Sequence, residues 1–316
     1  MTRARPLLVG ASLALLASLA PVAALRAQSP PRSFQVEVVG DGPPMILIPG
    51  LASSGDTWAT TVAHFQRRYT CHVLTLAGFA GVPPIAEPLL AAVRRDLADY
   101  IAARGLKQPV IVGHSLGGTL ALGLAIDHPG IVGPLIVVDA LPFLAGAQMQ
   151  AKSVDDAQPA IAAMRAYMSN MTPAQYEQYV STGATTRFMV TGDADHEVIK
   201  GWSRASDPRT VGSAMADLYG TDLRAALARI QSPTLVLGAW SGLHEQLKQY
   251  GIQVSRADVV ATFGAQFETL EPLRFVLSET ARHFIMFDDP TWFFGQLDTF
   301  LADPAAVVAQ RGRAAE

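Results

Sequence analysis

Gly113-His114-Ser115-Leu116-Gly117-Gly118 is the stretch of this chain where residue type and spacing point most directly to covalent chemistry. A serine hydroxyl is a weak nucleophile at neutral pH. It acts when an imidazole takes its proton and a carboxylate holds that imidazole in the right tautomer. Of the seven histidines, His283 has the best position, after the strand-like run Arg274–Ser278 and before the last helical pattern. His114, inside the glycine-bracketed turn, should point away from the Ser115 hydroxyl and pack beneath it. His64, His72 and His128 fall in helix-like or strand-like runs away from the reactive edge, and His196 and His244 remain alternatives to His283. Two carboxylates compete for the third role. Asp139 closes the run Leu135-Ile136-Val137-Val138, and Glu245 follows Ala239-Trp240-Ser241-Gly242-Leu243-His244. Both keep the order nucleophile, acid, histidine.

A strand, a tight turn and a helix must present such a serine. Pro109-Val110-Ile111-Val112 supplies an apolar strand, and Leu116–His128 supplies a helical pattern. The turn between them tolerates almost no side chain two residues before or after the serine. Gly113 and Gly117 meet that demand, and Gly118 lets the helix lie close to the sheet.

Further apolar runs at Met45–Ile48, His72–Leu76, Leu135–Val138, Thr234–Leu237 and Arg274–Ser278 read as buried parallel strands. Phe34–Val38 alternates like a half-buried edge strand. Helical patterns lie at Thr57–Arg68, Glu87–Arg104, Leu116–Asp127 and Thr291–Leu301. This order predicts an α/β fold, a mostly parallel sheet flanked by helices, with ligand chemistry beyond the carboxyl ends of the strands.

Residues 141–230 break the alternation with helical patterns alone and predict an inserted helical cap. The cap separates a first core part, 31–140, from a second, 231–312. Its Met149, Met164, Tyr167, Met168, Met171, Tyr176 and Tyr179 read as buried helix faces, some of which would roof the serine.

Residues 1–27 have the order of a secretory signal peptide. Arg3 and Arg5 precede an apolar run, Leu7–Leu19, then Pro21 and small residues up to Ala27. Export to a bacterial periplasm or beyond is therefore expected, with no stable membrane anchor after cleavage. The formal net charge is −3, and removal of a leader carrying three arginines makes the chain more acidic still. That balance does not suit a nucleic-acid surface. The single cysteine, Cys71, lies in a strand-like run and reads as a small buried hydrophobe rather than a nucleophile. Asp193-Ala194-Asp195-His196-Glu197 could offer metal ligands but reads as a solvated turn, so neither metal nor cofactor is expected.

Taken together, the chain resembles the α/β-hydrolase family over nearly all of its length after the leader. Three motifs carry the resemblance: Ile48-Pro49-Gly50-Leu51 with Asp56-Thr57-Trp58, the Ser115 turn, and Arg282-His283-Phe284-Ile285-Met286-Phe287-Asp288-Asp289-Pro290. The resemblance implies an oxyanion hole from the backbone N–H groups of Leu51 and Leu116, and a catalytic role for His283. It implies a serine esterase or lipase-like enzyme acting on a small-molecule ester with an apolar acyl group. Amide, lactone, thioester or carbon–carbon cleavage use the same residues, and a non-catalytic binding protein of this fold is the alternative from another class. Ser115 argues against the family's dehalogenases and epoxide hydrolases, which use Asp there. Two departures stand out. Thr75-Leu76-Ala77-Gly78-Phe79-Ala80-Gly81 replaces a common Asp-x-Arg-Gly-x-Gly, and no Asp follows the strand ending near Gly238, where the family usually keeps its acid.

Overall fold

The computed structural model describes residues 33–309, apart from 87, 184–185, 249–250 and 252. The leader at 1–27 lies outside the described residues. Seven strands form one sheet: β1 (Phe34–Val39), β2 (Pro44–Ile48), β3 (Thr70–Leu76), β4 (Val110–His114), β5 (Leu135–Val138), β6 (Thr234–Ala239) and β7 (Leu273–Ser278). Their spatial order is β1-β3-β2-β4-β5-β6-β7. β1 runs antiparallel on β3, pairing Phe34 with Leu76 and Val39 with Cys71, and every other pair is parallel. Strand order reverses between β2 and β4, which is where an open parallel sheet leaves a crevice at its carboxyl ends.

Twelve α-helices accompany the sheet among the described residues. They are α1 (Ala59–Phe65), α2 (Leu89–Ala103), α3 (Leu116–Asp127), α4 (Leu144–Gln148), α5 (Val154–Ser169) and α6 (Pro173–Thr182), then α7 (Asp193–Arg204), α8 (Pro208–Tyr219), α9 (Ser241–Lys248), α10 (Arg256–Gln266), α11 (Ile285–Asp288) and α12 (Pro290–Ala302). The helix expected from Thr57 to Arg68 is divided. Gly55–Trp58 forms a 3-10 turn before α1. That turn starts where Ser54 caps the Asp56 N–H and Thr75 Oγ1 accepts the Gly55 N–H. The pattern expected from Glu87 begins as α2 at Leu89, after Pro88 in an extended conformation.

Side-chain alternation along each strand divides the core into two layers. Ile46, Ile48, Leu74, Ile111, Val137 and Val236 face α2 and α3. Met45, Leu47, Val112, Ile136, Leu235 and Leu237 face the opposite layer, with Trp58, Phe65, Phe293 and Phe300. Helix α3 is buried from Leu116 to Ile126, the condition of a helix that is apolar all round.

Between β5 and β6 every described element is helical, as the sequence implied. Arg165 of α5 donates to Ser213 Oγ and Asp217 Oδ1 of α8, fastening these two helices of the insertion to each other. The insertion also docks on the core loop that departs from the common motif. Gly78 O accepts the Asp207 N–H at 2.7 Å, and Ala205 O accepts the Gly81 N–H at 2.9 Å. A Cβ on Gly78 would lie 2.4 Å from Thr210 Cγ2, so the α8 start sits directly against it. The expected burial of cap Met and Tyr residues holds for Met168 and Tyr176, whereas Tyr167 is 63% exposed and Met149 37%. Tyr167 directly precedes the buried Met168 on α5, and neighbours on a helix do not share a face.

Cys71 is fully buried in β3, and burial pushes its thiol up to about 11. A native protein at pH 7.5 should therefore resist iodoacetamide and label only after unfolding, read by intact mass. A second expectation concerns the elbow. A Cβ on Gly117 would stand 2.3 Å from the Ile48 carbonyl oxygen, so Gly117→Ala should cost about 1–3 kcal/mol in chemical denaturation by forcing backbone apart.

Candidate active site

β4 delivers Ser115 to the crevice, and three close approaches shape its turn. Added Cβ atoms would meet Gly117 O at 2.2 Å from Gly113, Ile48 O at 2.3 Å from Gly117, and Ala140 Cβ at 2.5 Å from Gly118. Ser115 itself adopts φ 53° and ψ −122°, a strained state for a non-glycine residue that costs about 1–3 kcal/mol. Its surroundings hold that state. Ser115 N–H donates to Val138 O at 2.9 Å, and its carbonyl accepts from Gly118 N at 2.8 Å and Thr119 N at 3.1 Å.

The loop after β2 closes on the same point. A Cβ on Gly50 would lie 3.3 Å from Ser115 Cβ and 3.1 Å from His114 Nδ1, so a side chain at Gly50 would crowd the serine. Ala52 takes φ 52°, and Ser53 Oγ donates to Leu51 O at 3.1 Å, which fixes the turn. Leu116 is the first residue of α3, and a first-turn N–H has no intrahelical acceptor. The two backbone donors implied by the resemblance therefore belong to segments that flank Ser115.

His283 lies in the loop between β7 and α11, with Nδ1 2.6 Å from Asp139 Oδ2. A carboxylate only accepts at neutral pH, so Nδ1 carries the proton and Nε2 keeps its lone pair. Asp139 sits one residue past β5 with φ 46°. Its N–H donates to Leu237 O at 2.7 Å, and its other carboxylate oxygen accepts the Ala239 N–H at 3.0 Å. The end of β6, which carries no acid, thus supplies a donor to the acid on β5. Glu245, the competing carboxylate, is on α9 and pairs with Arg282.

His114 is fully buried. Its Nε2–H donates to the His283 carbonyl at 3.0 Å, and the two rings lie 4.5 Å apart. Burial, followed by repulsion from His283 whenever that ring is protonated, holds His114 well below the usual histidine range and so keeps it neutral. Four of the five remaining histidines are engaged elsewhere. His64 bonds Asp298, His72 bonds Tyr100, His196 bonds Thr186, and His244 bonds the Val254 carbonyl. Asp193–Glu197 begins α7 rather than forming a separate turn. There Asp193 pairs with Arg187 and Glu197 with Lys200, and no cluster of three metal-ligating side chains occurs among the described residues.

Arg282 and Asp288 were not singled out by the sequence, although both lie in the His283 motif. Arg282 donates to the carbonyls of Arg187 and Val190. Asp288 accepts from Thr191 N–H and Oγ1, and from Arg282 N–H. A cavity of about 680 Å³ lies farther along α3, between it and α2, α5 and α8, with Leu90, Arg94, Thr119, Leu120, Ile161 and Asp217 in its wall.

The sequence profile described as the alpha/beta hydrolase family matches residues 45–296. A pimeloyl-(acyl-carrier protein) methyl ester esterase of Nitrosomonas europaea is 25% identical over 212 residues, covering 65% of this chain and 79% of that protein. An esterase from Exiguobacterium antarcticum superposes with a TM-score of 0.66 at 17% identity, over 85% of this chain and 96% of that one. An enol-lactonase from Burkholderia xenovorans gives the same TM-score and coverages at 15% identity. Profile, sheet order and the strained turn after β4 agree: this chain belongs to the alpha/beta hydrolase family.

Proposed function

We propose that this protein is a secreted serine hydrolase that cleaves carboxylic esters through an acyl-serine intermediate. The observation that carries the proposal is the 2.6 Å contact of His283 Nδ1 with Asp139, in the same crevice as a serine held at φ 53°. In the proposed course, Ser115 Oγ attacks the ester carbonyl carbon and gives its proton to His283 Nε2. The Leu51 and Leu116 N–H groups stabilise the oxyanion, each contributing about 3 kcal/mol in comparable sites. Collapse breaks the carbon–oxygen bond, and the leaving alkoxide takes the proton from His283. Water then attacks the acyl-serine, again losing its proton to His283, and releases the acid and free Ser115.

Asp139 stabilises the imidazolium formed in each step and keeps Nδ1 protonated beforehand. The proposed substrate is a small-molecule ester with an apolar acyl group. Support comes from an ester-cleaving relative. Export is proposed from the arginine-led apolar leader.

A chain-length series of nitrophenyl esters, with a lactone alongside, tests the reaction. Ser115→Ala should lower turnover by about 10³-fold or more, and a fluorophosphonate should label Ser115 stoichiometrically. Equal rates for both proteins, or no labelling of folded protein, would leave a binding function as the better account.

The acid is tested separately. Asp139→Asn should cost about 10⁴-fold in kcat, as a wrong imidazole tautomer does in comparable triads, and Glu245→Gln should cost far less. The opposite ranking would overturn the Asp139 role.

A further inference from the structure

We propose that Arg282 is a positioning residue for His283, through which the helical insertion holds the ring that serves Ser115; this rests on the serine-hydrolase proposal above. The peptide carrying His283 is fixed at almost every neighbouring group. Its own carbonyl accepts from His114. The next N–H, of Phe284, donates to Met189 O at 2.9 Å. The preceding N–H, of Arg282, donates to Asp288 Oδ2 at 2.8 Å, and Asp288 Oδ1 accepts from Thr191 N–H and Oγ1 at 2.8 and 2.6 Å. The Arg282 side chain completes the set, with Nη1 3.0 Å from Arg187 O and 2.8 Å from Val190 O.

Arg282 and Phe284 of the histidine loop, with Asp288 of α11, therefore grip one short piece of the insertion, 187–191. The loop has no sheet pairing of its own to place His283, because β7 ends at Ser278 and α11 begins at Ile285. The Arg282 side chain is only 17% exposed, so its charge requires a partner. Glu245 is that partner and connects α9 to the same point. A planar guanidinium can serve two carbonyls and a carboxylate in fixed directions; a lysine ammonium retains the charge without that fork. None of these bonds includes Ser115 or Asp139, so their contribution belongs to the placement of the ring.

The experiment compares Arg282→Met, Arg282→Lys and Ser115→Ala with the wild type on whichever nitrophenyl ester is turned over. Turnover is normalised to sites titrated with a fluorophosphonate, and KM is recorded for each. Arg282→Met should lose about 10- to 100-fold in kcat per titrated site, with KM changed by less than about threefold, and Arg282→Lys should fall between it and the wild type. A merely structural role would lower the number of titrated sites and leave kcat per site unchanged; that result overturns the proposal. If Arg282→Met does not fold, Thr191→Val gives the same reading by removing one donor to Asp288. A fall in kcat per site of about threefold supports the proposal, and an unchanged value overturns it. Activity persisting in Ser115→Ala would discard the serine mechanism itself. An inactive Ser115→Ala beside an unaffected Arg282→Met discards only the positioning role.

Discussion

The approach of α3 to the ends of β2 and β4 is the constraint on which the rest of the structure depends. Backbone meets backbone there, since Gly117 stands beside the carbonyls of Ile48 and Pro49 and Gly113 beside that of Gly117. Only because no side chain intervenes can the helix start within one residue of the strand. That short turn forces Ser115 into its strained conformation and points the helix N-terminus at the crevice. The Gly50-Leu51 loop can then lie against the serine because both grow from adjacent strands of one sheet. The local strain is supported by the large apolar layers on both faces of the sheet, which over-determine where β4 and α3 must lie.

Asp139 and His283 show a second consequence of the parallel sheet. Neighbouring parallel strands end at the same level, so a carboxylate can move from β6 to β5 and still reach the same imidazole. The register pairs Val138 with Leu237, which places Asp139 beside the end of β6. Ala239 N–H then binds one carboxylate oxygen and leaves the other for His283. Strand-end position, rather than which strand carries it, is what the geometry requires.

Much of this was legible in the residues. Uninterrupted runs such as Leu135–Val138 can be nothing but buried strand in a chain that alternates with amphipathic helices, and the glycines around Ser115 state the steric demand of their turn. Helix starts were less legible, because Thr57 and Glu87 fit a helical pattern whose first turn is decided by Thr75 and Pro88. The choice between Asp139 and Glu245 could not be read from either segment, since it depends on strand register and on Arg282 engaging Glu245. Arg282 itself gave no signal beyond adjacency to His283, for its partners are backbone carbonyls, and every residue type has one.

The insertion is not joined evenly to the body beneath it. Its 187–191 segment is bonded to the histidine loop, and the turn between α7 and α8 is bonded to Gly78 and Gly81. Helices α5 and α6 take part in none of these bonds; they are attached to their own layer, α5 to α8 through Arg165 and α6 to α7 through Tyr176 and Glu177. The insertion thus has a moored inner half and an outer half carried upon it. Displacing α5 and α6 leaves the mooring intact, whereas lifting the whole would unseat the histidine. Movement of the outer half therefore need not disturb the contact of His283 with Asp139.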